Sequence, residues 1–312
     1  MRLKPFFLVL PFICTSVLAE TSNKNNYPGL NSTEIGVQNI TYKESLSDFA
    51  GIGDLSTEVE VSNTVITASS YTNLSEKWGF LLNSQSNATR EFADDEWKVD
   101  GFGKVLSNSN KIGINELTAQ GVYHLDQKTY LTVGGQLKTL GFVRSNFNPI
   151  GQASDLNKAI RESDRYFADS NPPQIIEERY AIEEDLTFIN AIAGIHYNTA
   201  FSAERKRLTW RAGAVLSTPL LYSAKNTSLE QQLGVETIDD SFTGYELRLN
   251  AGVSYELVAG LALTLSADYS MAEHDEINTK ATDPISGNER TAAIPEIEQT
   301  SLQFTLGLLW IN

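Results

Sequence analysis

Residues 245–257 read YELRLNAGVSYEL. Tyr245, Leu247, Leu249, Ala251, Val253, Tyr255 and Leu257 share one parity, and Glu246, Arg248, Asn250, Gly252, Ser254 and Glu256 take the other. A helix cannot sort neighbours this way, whereas a strand with one apolar and one polar face does. After Val258-Ala259-Gly260 the pattern returns. Leu261, Leu263, Leu265, Ala267, Tyr269 and Met271 oppose Thr264, Ser266, Asp268 and Ser270. Two such runs across a three-residue link predict a hairpin.

The same rule predicts three further hairpins. Lys111–Leu125 joins Thr129–Val143 through Asp126-Gln127-Lys128, Asp185–Tyr197 precedes Leu208–Tyr222, and Thr57–Tyr71 precedes Trp78–Ser86. Thr300–Trp310 is a last strand. Longer polar stretches, 87–110, 144–175, 223–243 and 272–299, separate the hairpins. Short links alternating with long loops describe a transmembrane antiparallel β-barrel, with turns on the periplasmic side and loops outside. These segments are odd in number, but bacterial single-chain barrels use an even count. A strand must therefore precede Thr57, and Glu34–Tyr42 (EIGVQNITY) is the candidate. The expectation is an all-β barrel of about ten strands. The alternative of twelve applies if 175–197 or 91–110 hides another pair.

Aromatic placement agrees. Tyr71, Trp78, Tyr123, Tyr197, Trp210, Tyr255 and Trp310 fall near predicted periplasmic strand ends, on the apolar parity. Rings with a polar edge favour the headgroup level, so these residues are assigned to a membrane-interface girdle. Tyr222, Tyr245 and Tyr269 fall near the opposite ends.

Met1–Glu20 (MRLKPFFLVLPFICTSVLAE) has a basic start, a short apolar run and small residues at Val17 and Ala19. It reads as a signal peptide cut after residue 19. The division expected is 1–19 signal, 20–33 periplasmic segment and 34–312 barrel, in the outer membrane. Cleavage removes Cys14, the one cysteine, so thiolate metal sites and disulfides are excluded. With Lys+Arg 24 against Asp+Glu 39, the charge of −15 argues against nucleic acid as a partner. No cofactor or metal is called for. Asn-x-Ser/Thr sequons at Asn31, Asn39, Asn73, Asn87 and Asn226 are compositional in a bacterial envelope.

The tail Thr305–Asn312 (TLGLLWIN) resembles the C-terminal assembly signal of Gram-negative outer-membrane proteins. Thr305, Gly307 and Trp310 match that pattern, and Asn312 departs from it. The resemblance implies the barrel-assembly machinery and outer-membrane lipid as partners. Size and strand count also resemble the omptin proteases, whose family pattern sets an aspartate pair on one loop against an Asp–His pair on another. Asp94 and Asp95 suit the first pair, but 223–243 offers Asp239 and Asp240 without histidine, and His274-Asp275 comes one loop later. No G-x-S-x-G elbow occurs either, so no complete catalytic set is present and no enzyme is expected.

The polar parity predicts lumen-facing Glu116, Lys138, Arg211, Glu246, Arg248 and Asp268, with His124 and His196 near the periplasmic ends. Arg248, flanked by Glu246 and Asn250 and facing Asp268 on the next strand, is the cluster of most interest. Mixed charges inside a narrow barrel either pair as a plug or line a conducting path. The leading expectation is a small porin-like or transport channel passing ions or small solutes. The alternatives are a non-conducting structural or adhesion barrel whose loops bind a partner, and a rim hydrolase or protease. Within loop 144–175, Ser154–Phe167 is expected to form a short helix lining one side with Leu156, Ala159, Ile160 and Ser163, as a lid or an outer epitope. Pro172-Pro173 would end it.

Overall fold

The computed structural model describes residues 27–49, 51–162, 179–202, 204, 206–282 and 289–312. In chain order come β1 (Leu30–Phe49), β2 (Gly53–Asn73), β3 (Trp78–Asn87), β4 (Phe92–Val99), β5 (Gly103–His124), β6 (Thr129–Pro149) and α1 (Ala153–Glu162). Then follow β7 (Arg179–Asn198), β8 (Leu208–Asn226), α2 (Thr227–Leu233), β9 (Ile238–Asp240), β10 (Tyr245–Val258), β11 (Leu261–His274), β12 (Ile277–Thr282), β13 (Glu289–Ile294) and β14 (Glu296–Ile311).

Each long strand pairs antiparallel with its chain neighbours, and β1 pairs with both β2 and β14, which closes the sheet on itself. Closure removes every edge, the one way a sheet can stand in hydrocarbon. β3 and β4 both run antiparallel to β2 and β5 and form one interrupted stave. The barrel therefore has ten staves. β9 is a short addition to β8, and β12–β13 is a separate hairpin. The chain's first strand contains the segment 34–42 but begins at Leu30. Its backbone meets the C-terminus at the rim of short links, where Gly29 donates to the Asn312 carbonyl at 3.2 Å.

The strands outgrow a bilayer. β5 has 22 residues, and at about 3.3 Å per residue and a tilt near 40° it climbs roughly 55 Å, about twice the apolar band. β10 and β11 have only 14 residues each, so the mouth is slanted, tall along β1–β8 and low along β10–β11. This overturns most of the expected loop structure. Of 87–110, β4 and β5 take all but short connections, and only 100–102 form the tip. β6 runs to Pro149, β8 to Asn226, and 272–299 holds β12, β13 and the start of β14. Of the 175–197 stretch, the described residues 179–197 all belong to β7 and hold no further pair. A stave standing in water has a polar outer face, and a polar outer face in sequence reads as a loop.

Polarity reverses along the staves. In the lower part Val133, Leu137, Ile195, Leu216, Leu249, Leu265, Phe304 and Leu306 face outward. In the upper part of β2 the outward positions are Glu58 and Glu60, while Val59 and Val61 point inward. There they join Ile40, Tyr42, Ile112, Ile114, Leu140, Phe142, Leu186 and Phe188 in a core that fills the barrel. Ile277 of β12 and Ile294 of β13 belong to that core, so the last long connection folds onto it. Higher still, α1 buries Ala153, Leu156 and Ile160 against Leu55, Val99 and Val105. The expected helix thus forms one residue early and packs on inward-facing residues of the tall wall. Its expected continuation past Glu162 lies outside the described residues, as do Pro172-Pro173 and the signal segment.

One expected girdle tyrosine, Tyr71, is corrected by the same reversal, and Tyr222, expected near an opposite strand end, turns inward with it. Tyr71 is 3% exposed and Tyr222 is 1% exposed, both inside the barrel. Tyr71 shares its parity with Val59, Val61 and Val65, whose apolar run belongs to the inner core and not to lipid. Trp78, Tyr197, Trp210, Tyr255 and Trp310 are exposed on the outer surface, and Tyr123 packs its ring against Trp78 at 4.9 Å. Tyr245 and Tyr269 are also exposed.

Candidate functional site

Between the upper core and the rim of short links lies a polar chamber of about 240 Å³. Glu34, Glu116, Arg211, Glu246, Arg248 and Asp268 line it, and Lys138 reaches it through Glu246. Alternation puts these side chains inside, because each strand turns every second residue toward the lumen. Adjacent staves then bring their inner residues within reach.

Two networks result. Lys138, 2% exposed, donates from Nζ to Glu246 Oε2 at 2.8 Å. Arg248 donates to Glu246 Oε1 at 2.7 Å and to Glu116 at 2.8 Å. Gln136 Nε2 donates to Glu116 at 3.3 Å, and Asn190 Nδ2 donates to Gln136 Oε1 at 2.8 Å. In the second network Arg211 donates to Glu34 Oε1 at 2.6 Å and also to the Ser266 hydroxyl. Ser266 and Thr305 each donate to Glu34 Oε2 at 2.6 Å. Arg248 thus bonds Glu116 and Glu246, and the expected facing of Arg248 by Asp268 is replaced by a different register: Arg248 lies opposite Ser270, and Asp268 opposite Asn250. Glu34 is the residue that sequence reading left out of the lumen. Its signal is the parity of Glu34, Gly36 and Gln38, in a strand whose alternation is weak and which the even strand count requires.

Below the chamber aromatic side chains pack into a layer across the bore. The Tyr71 hydroxyl and His124 Nε2 share a hydrogen bond of 2.7 Å, and Tyr27 stacks on His124 with centroids 3.6 Å apart. Phe201 presents its edge to Tyr27, and Tyr130 stacks on His196. Gly79 sits beneath Tyr71, where a Cβ would come within 2.4 Å of the ring. His124 and His196 therefore serve as plug members.

Above the chamber, well clear of the apolar band, a second charge centre crosses the bore. Arg144 of β6 donates to Glu184 of β7 at 3.1 Å and to Glu44 of β1, with Asp95 of β4 at 3.9 Å. Trp97 and Phe142 flank the guanidinium, and Tyr42 donates to Glu44 at 2.8 Å. Three carboxylates meet one cation here. Burial, reinforced by the Glu44 charge, pushes Glu184 up to about 7 against the pull of Arg144. Burial raises Asp95 as well, opposed by Arg144 and by the hydrogen bond from Thr57.

The acidic and histidine residues of an omptin-type site hold other partners. Asp95 is bound to Thr57, Asn108 and Asn110. His274 Nδ1 is hydrogen-bonded to the Thr243 carbonyl at 3.0 Å and its ring stacks on Phe188, while Asp239 and Asp240 are exposed on β9. Among the described residues no three His, Cys, Asp or Glu side chains converge as a metal site.

No family model matches the chain, and no curated protein does. Among solved structures, the outer membrane protease OmpT from Escherichia coli superposes with a TM-score of 0.65, over 94% of this chain and 99% of that one, at 10% identity. Two further outer-membrane structures overlap far less well. A FadL homologue from Pseudomonas aeruginosa gives 0.33 over 91% and 90% of the two chains at 11% identity. OprG from the same species gives 0.32 over 92% and 98% at 10% identity. The likeness is one of fold: this chain has the architecture of a Gram-negative outer-membrane β-barrel.

Proposed function

We propose that the barrel is a sealed, non-conducting outer-membrane scaffold whose activity resides on its water-exposed upper half. The observation that carries this is side-chain packing across the bore on both sides of the chamber: Ile40, Phe142, Leu186 and Ile294 above it, and the Tyr27–His124–Tyr71 layer below it. A conducting pore needs a continuous wet path. Here Lys138, Arg211 and Arg248 are bound by Glu34, Glu116 and Glu246. The outward apolar band and its aromatic rim support placement in the outer membrane. The tail's likeness to the assembly signal supports delivery by the barrel-assembly machinery. The tall wall with α1 packed on it is the surface offered to a partner. Catalysis is not favoured, because Asp95 and His274 are committed elsewhere.

The test is conductance across a planar bilayer, using protein that shows the heat-modifiable gel shift of a closed barrel. The expected result is a silent bilayer. Discrete ohmic steps that change in the Arg248→Ala variant would establish the channel instead.

A further inference from the structure

The chamber's charges do not balance. Lys138, Arg211 and Arg248 stand against Glu34, Glu116, Glu246 and Asp268, and every member but Asp268 is bonded to an opposite charge. Asp268 is turned to the chamber and, among the described residues, has neither a hydrogen bond nor an ion pair. Its neighbours in register are Asn250 on β10 and Gln303 on β14, which also line the chamber. Gln303 is only 4% exposed, and neither amide has a side-chain hydrogen bond among the described residues. Asn250 lies flat across Gly213, where a Cβ would stand 3.0 Å from the amide atoms.

A buried amide such as Gln303 is ordinarily bonded, since leaving one unsatisfied costs roughly 1–3 kcal/mol, and Asp268 and Asn250 beside it are half-buried polar side chains that face the chamber. Three in a row, on three adjacent staves and on one face, form an oxygen-rich arc with a single negative charge. Arg211 and Arg248 are the nearest cations, but both guanidiniums are held by glutamates. We infer that Asp268, Asn250 and Gln303 form a binding site for one small monovalent cation inside the chamber, which restores neutrality. Oxygen donors with a single carboxylate suit an alkali ion, whereas a divalent ion draws on more carboxylates.

Rubidium is the probe. The full barrel is refolded in detergent in the presence of labelled Rb⁺, so that the chamber closes with the ion available, and is then dialysed to equilibrium against the same label. Its heat-induced gel shift is then compared in RbCl and in N-methylglucamine chloride of equal ionic strength. About one Rb⁺ per barrel is expected, with a shift midpoint several degrees higher in RbCl, because a ligand bound only by the folded state stabilises it. D268N should abolish both effects, and Q303L should weaken binding at least several-fold while leaving the charge in place. If D268N does not fold, N250L together with Q303L makes the same test with Asp268 intact. Absence of bound Rb⁺ in the wild type, equal midpoints in the two salts, or binding retained by the variants would overturn the site. An infrared band of a protonated carboxyl present in the wild type and missing in D268N would also overturn it, since a proton would then be the neutralising species.

Discussion

The lower and upper halves of this barrel use the same staves and the same alternation with opposite sign. Below, β11 turns Leu263 and Leu265 outward and keeps Thr264 and Ser266 inside. Above, β2 turns Glu58 and Glu60 outward and keeps Val59 and Val61 inside. The solvent on the outer face decides. Hydrocarbon outside pushes polar groups into a wet chamber, and water outside lets apolar groups pack as they do in a soluble core. Charge is therefore dispersed in two paired networks below, whereas above it is concentrated in one buried centre at Arg144.

The sharpest way to break this contrast is to remove that centre's one cation. Arg144→Ala leaves Glu44, Asp95 and Glu184 facing each other in an apolar bore. Breaking a buried ion cluster from one side costs about 3–5 kcal/mol. Equilibrium urea unfolding should show the loss, and Arg144→Met combined with Glu44→Gln and Glu184→Gln should recover most of it. An Arg144→Ala barrel as stable as the wild type would mean that the upper core does not depend on the cluster.

The next comparison sets one substitution in the two zones. Leu265 faces outward, four residues from Tyr269 above and Leu261 below, and Leu265→Arg places a charge near the midplane at a cost of about 2–4 kcal/mol. Ser62→Arg, outward on the tall wall, should change stability by less than about 0.5 kcal/mol. Unfolding in lipid vesicles measures both. Equal costs would mean that the membrane covers the tall wall as well.

That boundary also explains how much the sequence could tell. Closure, ten staves and the short-link rim follow from alternation and an even strand count, and the inner positions of Glu116, Lys138, Arg211, Glu246, Arg248 and Asp268 follow from parity alone. Tyr71 escapes a parity reading because parity says which residues share a face and not which face meets lipid. In 57–71 the apolar parity is the inner one. The 87–110 stretch looks like a loop for the same reason, since DDEW in β4 alternates about a buried Asp95 instead of a buried hydrophobe. The Arg144 centre was invisible because its members come from β1, β4, β6 and β7, and no local pattern joins them.

Acidity gives a smaller test of the upper half. Glu184 sits near 7 in the folded barrel against an ordinary value of 4.5, so the folded state holds a proton there that the unfolded chain has released. Its contribution is complete below about pH 4.5 and is lost as pH rises toward and through 7, with a slope of at most about 1.4 kcal/mol per pH unit. Unfolding midpoints should therefore fall between pH 5 and 8, and Glu184→Gln should flatten that fall. A pH dependence unchanged in Glu184→Gln would place the titrating group elsewhere.

The smallest effect belongs to the lower plug. Tyr71→Phe keeps the ring over Gly79 and against Phe201 and removes only the hydroxyl shared with His124. A single buried hydrogen bond is worth about 1 kcal/mol, with somewhat more lost where the imidazole is left unsatisfied. Tyr71→Ala should cost about 3–5 kcal/mol, as the loss of a buried aromatic does. Were Tyr71 facing lipid as parity alone suggests, the hydroxyl would sit at the headgroup level with water to replace its partner, and Tyr71→Phe would be neutral. A measured loss near 1 kcal/mol with unchanged membrane insertion separates an inward plug tyrosine from an outward girdle one, and it does so at the position where sequence and structure part.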